Sequence, residues 1–313
     1  MNDTSSRVLL ERLIGFATVS RDPNLEMIGF IRDYLAGFGV ESELFYNAER
    51  TKASLYATIG PRDRGGIALS GHTDVVPVDG QAWTVEPFRL TERDGRLYGR
   101  GTADMKGFIA SALAAVPAFV ARPLRVPVHL AFSYDEEVGC LGVRPMLDAL
   151  AARPHRPRLC LIGEPTELRP VLGHKGKLAM RCHVKGAACH SAYAPSGVNA
   201  IDYAESELLP RMRAVQPDTD IRLQPLGAYP GLATAPDSEA ARLLAMLSGS
   251  DAFGTVAFGT EGGLFGQAGI PAVVCGPGSM DQGHKPDEFV TLDQLHGCDA
   301  MLRRLAAYLS SAA

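Results

Sequence analysis

The sequence has no long apolar run, no surplus of one charge and no paired cysteine motif, and each absence removes a class of function. No hydrophobic stretch approaches the roughly 20 residues that a membrane-spanning helix needs, and the N-terminal Met1-Asn-Asp-Thr-Ser-Ser-Arg7 lacks the charged-then-apolar pattern of a secretory signal. The expectation is a soluble, cytoplasmic protein with no membrane partner. Lys and Arg number 31 against 35 Asp and Glu, spread along the chain, so no basic stripe offers itself to nucleic acid. The six cysteines, Cys140, Cys160, Cys182, Cys189, Cys275 and Cys298, form no Cys-x-x-Cys pair, and buried free thiols are expected over a disulfide or thiolate-metal framework. Any metal must then be held by histidine and carboxylate. Repeats and low-complexity tracts are also missing, while 46 % hydrophobic residues over 313 positions suffice for one large or two medium domains.

What is present centres on Leu69-Ser-Gly-His-Thr-Asp-Val-Val-Pro-Val78. The apolar run Ile67-Ala-Leu69 reads as the end of a buried strand, and Ser70-Gly71 then delivers His72 and Asp74 into a loop. A neutral imidazole can ligate a metal through one ring nitrogen while a carboxylate orients the other. His72 is therefore a candidate ligand and Asp74 its orienter, against the plainer possibility of a hydrogen-bonded turn histidine.

Before that loop, apolar spacing predicts helices over Arg7–Val19 and Asn24–Phe38, then strands over Glu41–Tyr46, Ser54–Ile59 and Ile67–Leu69. Pro77 to Phe88 is a loop whose Trp83 reads as a wall beside the site. Arg89–Arg100 reads as a hairpin turning at Asp94-Gly95. The glycine-rich Gly99-Arg-Gly-Thr-Ala-Asp-Met-Lys-Gly107 leads to a helix over Lys106–Val120, with Asp104 where loop becomes helix, a position that helix capping alone could explain. The strand Val126–Tyr134 ends in Asp135-Glu136-Glu137, three adjacent acids that repel one another unless a cation or solvent compensates. A helix over Val143–Ala151 and a strand Leu159–Ile162 follow, the latter ending in Gly163-Glu164-Pro-Thr166.

The strand Leu178–Lys185 alternates apolar and polar residues, which suggests a smaller sheet with one wet face. Helices are expected from Ser196 and over Tyr203–Val215, then a strand over Asp220–Leu226. The chain closes with a helix from Pro236 to Leu247, a strand over Gly254–Phe258, a turn Gly259–Gly263, a strand Ala272–Cys275, a polar loop holding His284, and a helix over Leu292–Leu309. His129, His155, His183 and His296 fit no motif and read as structural.

His72, Asp104, Glu136-Glu137 and Glu164 recur roughly thirty residues apart, about one strand-plus-helix unit each, so their loops can gather at one edge of a single sheet, with His284 joining from a fifth. Two histidines with carboxylates and no cysteine suit zinc, cobalt or manganese better than calcium, and an extra carboxylate can bridge two ions.

Five stretches together carry a resemblance: Ser70 to Trp83, Tyr98-Gly-Arg-Gly-Thr-Ala-Asp-Met-Lys-Gly-Phe-Ile109, Ser133-Tyr-Asp-Glu-Glu-Val-Gly-Cys-Leu-Gly142, Gly163-Glu-Pro-Thr166 and Gln282-Gly-His-Lys-Pro-Asp287. The chain resembles the M20 family of dinuclear metallohydrolases, and leans towards its acetylornithine deacetylase branch over the succinyl-diaminopimelate desuccinylase branch. The resemblance implies an α/β fold with a mixed, largely parallel sheet flanked by helices, zinc-exopeptidase-like, and a small α+β lid domain inserted. Boundaries follow at 1–174 and 232–313 for the catalytic domain and 175–231 for the lid. It implies two divalent ions, zinc or cobalt, with His72, Asp104 and Glu164 holding one and Asp104, Glu137 and His284 the other. Glu136 then matches the general base, Asp74 the partner of His72, and His190 the lid histidine that stabilises the oxyanion. A cis peptide is implied at Asp104-Met105. The implied substrate is a small N-acylated amino acid, cleaved to a free amino acid and a carboxylate.

The lid departs from the family pattern. Gly197-Val-Asn-Ala-Ile201 runs almost directly into Tyr203-Ala-Glu-Ser-Glu-Leu-Leu-Pro-Arg211, where relatives interpose a helix and two strands, so several tens of residues are missing around Asp202. The homodimer of relatives and their substrate-positioning groups are expected to be reduced here. A metal-binding chain with impaired catalysis is therefore the competing expectation.

Overall fold

The structure is a computed structural model that describes residues 4–185, 187–189, 198–200, 213–218 and 220–311. The chain divides into two compact units, one formed by Met1–Gly176 with Tyr229–Ala313 and the other by Lys177–Ala228.

The larger unit opens with helices α1 (Ser6–Ile14) and α2 (Leu25–Ala36) and strands β1 (Ser42–Tyr46), β2 (Ala53–Ile59) and β3 (Ile67–His72). A hairpin, β4 (Thr91–Arg93) and β5 (Arg96–Tyr98), precedes α3 (Lys106–Ala114), α4 (Val116–Val120), β6 (Val128–Ser133), α5 (Val143–Ala151), β7 (Leu159–Pro165) and β8 (Val171–His174). The smaller unit holds β9 (Lys177–Lys185) and most of β10 (Asp220–Tyr229), paired as two strands. The chain then adds β11 (Leu232–Ala233), α6 (Glu239–Ser248), β12 (Gly254–Val256), α7 (Gly262–Gln267), β13 (Ala272–Gly276), β14 (Phe289–Thr291) and α8 (Leu292–Ser311). No described helix is long and apolar enough to cross a membrane.

Nine strands of the larger unit form one sheet in the order β1-β2-β6-β3-β7-β13-β8-β11, with β12 also on β8. Its centre, β6, β3, β7 and β13, is parallel, and the outer strands are mostly antiparallel. Central strands are buried on both faces, as parallel strands require. Leu69, Phe132 and Leu161 turn to one apolar layer and Ala68, Ala131 and Cys160 to the other, following the period of two. Helices α1, α2, α3, α6 and α8 cover the first layer, and α5 and α7 the second.

Several expectations need correction. α1 stops at Ile14, because beyond Gly15 the backbone pairs with the strand-end loop: Val75 N–H donates to Thr18 and Ser20 N–H to Val75. The helix expected over 106–120 breaks at Ala115 into α3 and α4, where Pro117 has no amide to donate. The turn at Gly259–Gly263 opens α7, and strands β8 and β14, too short to show a period, were not foreseen. Cys189 is exposed, whereas Cys140, Cys160, Cys275 and Cys298 are buried. The helices expected from Ser196 and over Tyr203–Val215 fall mostly outside the described residues.

His129 of β6 has a structural role that can be tested. It is 3 % exposed, stacks on Tyr56 at 5.4 Å and bonds Thr58 through Nδ1. Burial, then the charges of Arg153 and Arg62, push its imidazole down to about 4. Below pH 6.5 the unfolded chain therefore takes up a proton that the folded chain refuses. Stability should fall by roughly 2 kcal/mol between pH 6.5 and 4.5 from this group alone. Urea unfolding of His129→Phe, which keeps the stack and cannot titrate, should show that much less loss over the same window.

Candidate metal centre

Parallel strands end together, so the residues just past β3, β6 and β7 share one edge of the sheet. His72 is the last residue of β3, Glu164 lies near the end of β7, and Glu136 and Glu137 follow β6. Asp104 comes from the loop before α3, and His284 from the loop between β13 and β14, with φ of +63°.

These side chains meet as two triads that share one residue. His72, Asp104 and Glu164 each offer a ligand atom within 4.8 Å of the others, and so do Asp104, Glu137 and His284. Asp104 divides its carboxylate between them: Oδ1 lies 3.0 Å from His72 Nε2, and Oδ2 lies 3.0 Å from His284 Nε2. His284 Nε2 is also 3.1 Å from Glu137, and His72 Nε2 is 3.8 Å from Glu164. Each triad thus brings one imidazole nitrogen and two carboxylate oxygens, a donor set that suits a divalent ion such as zinc, cobalt or manganese. The peptide Asp104-Met105 is cis.

Electrostatics make the same demand. Burial and the charge of Asp104 push Glu164 well up and Glu137 up. Hydrogen bonds to Asp104 and Glu137 hold His284 up to about 10. Burial opposes charge on His72, but Asp104, Glu164 and Asp74 outweigh it and raise it. Burial would likewise raise Asp104, but its bonds to His284 and His72 hold it below the ordinary value. A buried cluster of carboxylates of this kind calls for compensating positive charge.

His72 is oriented by Asp74, though not through the carboxylate. The ring Nδ1 lies 2.9 Å from the Asp74 carbonyl oxygen, which fixes the proton on Nδ1 and leaves Nε2 open to a metal. The Asp74 carboxylate, 3.6 Å from the ring, instead accepts from the backbone N–H of Glu136 at 3.1 Å and of Glu137 at 3.4 Å, and from Ser20 Oγ. One residue therefore braces both a candidate ligand and the acidic turn. Glu136 belongs to neither triad; it is 8 % exposed and burial pushes its carboxyl up to about 8. His190 lies outside the described residues.

Two buried acids were not anticipated. Glu288 accepts from the backbone N–H groups of Gly101, Ala103 and Asp104 and pairs with buried Arg100 at 2.6 Å, so it sets the turn that carries Asp104. The signal available was the arginine inside the Gly99-Arg-Gly101 turn, which needs an anion if buried. Glu261 bonds Ser70 and Ser133, two hydroxyls at the ends of otherwise apolar strands. Trp83 is tied to the loop that carries His284: Arg100 stacks over its ring at 5.1 Å, and its indole N–H donates to Gln81, which in turn donates to the His284 carbonyl.

Comparison with known proteins agrees with this architecture. The model of peptidase family M20/M25/M40 matches residues 68–308. An acetylornithine deacetylase of Myxococcus xanthus is 32 % identical over 384 aligned residues, covering 98 % of this chain and 99 % of that protein. That alignment is longer than the chain, so it includes positions that the chain lacks. An M20 family metallo-carboxypeptidase from Sulfolobus solfataricus superposes with a TM-score of 0.79 at 16 % identity, over 98 % of this chain and 99 % of that one. A dinuclear metal-binding M20 peptidase of Bacillus subtilis does so with a TM-score of 0.61 at 15 % identity, over 98 % and 99 %. A carboxylate shared by two candidate ligand triads at the sheet edge, a family model spanning most of the sequence and a full-length relative converge on one conclusion: the chain belongs to the M20 family of metal-dependent hydrolases.

Proposed function

We propose that the chain removes the acetyl group of N2-acetyl-L-ornithine, giving L-ornithine and acetate, a step of arginine biosynthesis. The observation that carries the hydrolytic part is Asp104 turned with one oxygen to each triad. The choice of substrate rests on the full-length relative and on the phrases Gly-Thr-Ala-Asp-Met-Lys-Gly-Phe and Ser-Tyr-Asp-Glu-Glu-Val-Gly-Cys.

His72, Asp104 and Glu164 would hold one divalent ion, and Asp104, Glu137 and His284 the other, with zinc first and cobalt second in preference. Bound there, the pair would polarise the amide carbonyl and acidify water. Glu136, close to both triads and outside them, takes the proton from the attacking water and returns it to the leaving amine. Its burial suits the first half of that task, because a carboxylate with a raised pKa is the stronger base; for the second half, the leaving amine is basic enough to take the proton back. His190 is assigned the oxyanion donor by its place in the family motif. Asp74 holds Glu136 to its post through the backbone of the acidic turn.

The positions that the chain lacks are placed in the lid, around Asp202, where the sequence skips from one motif to the next. Substrate affinity should suffer more than the chemistry, and homodimerisation is expected to be weak.

Parallel assays of the zinc- and cobalt-loaded protein on N2-acetylornithine, N-succinyl-diaminopimelate and a free dipeptide test the reading. Acetylornithine should have the highest kcat/KM. Faster turnover of either competitor would replace it as the substrate, and two bound ions with no hydrolysis of any of the three would leave only metal binding.

A further inference from the structure

Glu261 takes no part in the steps above, yet the fold keeps it 1 % exposed near the metal centre. Burial opposes its charge and pushes the carboxyl up to about 7, so packing alone would favour an apolar residue there. Its contacts point to another reason. One oxygen accepts from Ser70 Oγ at 3.0 Å and the other from Ser133 Oγ.

Those serines occupy the last rungs of the central sheet. The ladder between β3 and β6 ends where His72 faces Ser133, and the one between β3 and β7 ends where Ser70 faces Ile162. Past these rungs β3 no longer pairs with β6 or with β7 in a regular ladder. His72 leaves from one strand there, and Glu136 and Glu137 follow three and four residues after Ser133 on the other. Ser133 is braced further, since its carbonyl accepts from both the N–H and the hydroxyl of Thr73, the residue after His72. Glu261 itself is anchored at the start of α7, where its carbonyl accepts from Leu264 and Phe265. Metal ligands tolerate little error in position, and groups that fix them commonly matter tenfold or more for affinity.

We infer that Glu261 is a positioning residue of the metal centre, its two bonds to Ser70 and Ser133 fixing the separation of the strand ends that deliver His72 and Glu136–Glu137. The inference rests on the two-ion reading of the site.

The test uses full-length parent, Glu261→Ala, Glu261→Gln and Ser133→Ala, each stripped with a chelator. Zinc affinity is read by competition with a chelating dye, and the stability of the stripped chain by its Tm. Glu261→Ala should bind zinc at least tenfold more weakly with little change in Tm, because relief from burying a carboxylate offsets the two serine hydroxyls left without an acceptor. Glu261→Gln, whose amide can accept from one serine and donate to the other, should recover to within threefold of the parent. Ser133→Ala removes one tether and leaves Glu261 in place; at least a threefold loss is expected, and it serves alone should Glu261→Ala not fold. Parent-like zinc binding by both Glu261→Ala and Ser133→Ala, a Tm that falls in step with affinity, or glutamine as weak as alanine would each overturn the inference. A parent that takes up no ion at all would instead bring down the two-ion reading.

Discussion

Glu136→Gln is expected to lower kcat by about 10³-fold or more while the chain keeps both ions. Glutamine preserves the size of the side chain and an oxygen for the Cys140 thiol, which donates to Glu136 Oε1 at 3.3 Å. The backbone bond from residue 136 to Asp74 is unaffected. Only the capacity to accept a proton goes. The base works when ionised, and burial raises Glu136 to about 8 in the ion-free chain. Two neighbouring cations would pull that value down, so parent activity should climb with pH along a limb centred below 8. The variant should lack that limb. Steady-state kinetics across pH, with metal content measured on the same samples, decides the matter: a variant that loses its ions, or keeps parent turnover, means Glu136 is not the base.

Asp104→Ala should abolish both ions together and leave no measurable turnover. The carboxylate is 4 % exposed and its two oxygens face different histidines, each at 3.0 Å. Removing it strips a ligand from each triad and the negative charge that offsets both ions. The turn should survive, because Glu288 holds it through backbone amides that alanine retains. His284→Ala is the contrast: that side chain is 46 % exposed and serves one triad, so one ion should remain. Metal counted per chain after dialysis separates the two variants. Retention of even one ion at parent affinity in Asp104→Ala would show that the carboxylate is not shared.

The candidate members of the site and the type of fold were legible in the sequence. His72, Asp104, Glu136, Glu137, Glu164 and His284 each stand where an apolar run or a glycine turn ends, and such endings are local patterns that a strand or helix must display. The same locality made α5 and the central strands legible, since burial on both faces leaves near-continuous apolar runs. How those site residues are used became visible only in the folded chain. Asp74 turns its carbonyl to His72 and its carboxylate to the acidic turn, a choice between two groups of one residue that no spacing encodes. Glu261 reaches Ser70 across 191 residues and Glu288 reaches Arg100 across 188. A buried acid whose partner lies that far along the chain reads, in sequence, like any acid on a surface. Its role exists only once folding has excluded water and left the carboxylate one set of donors to satisfy it.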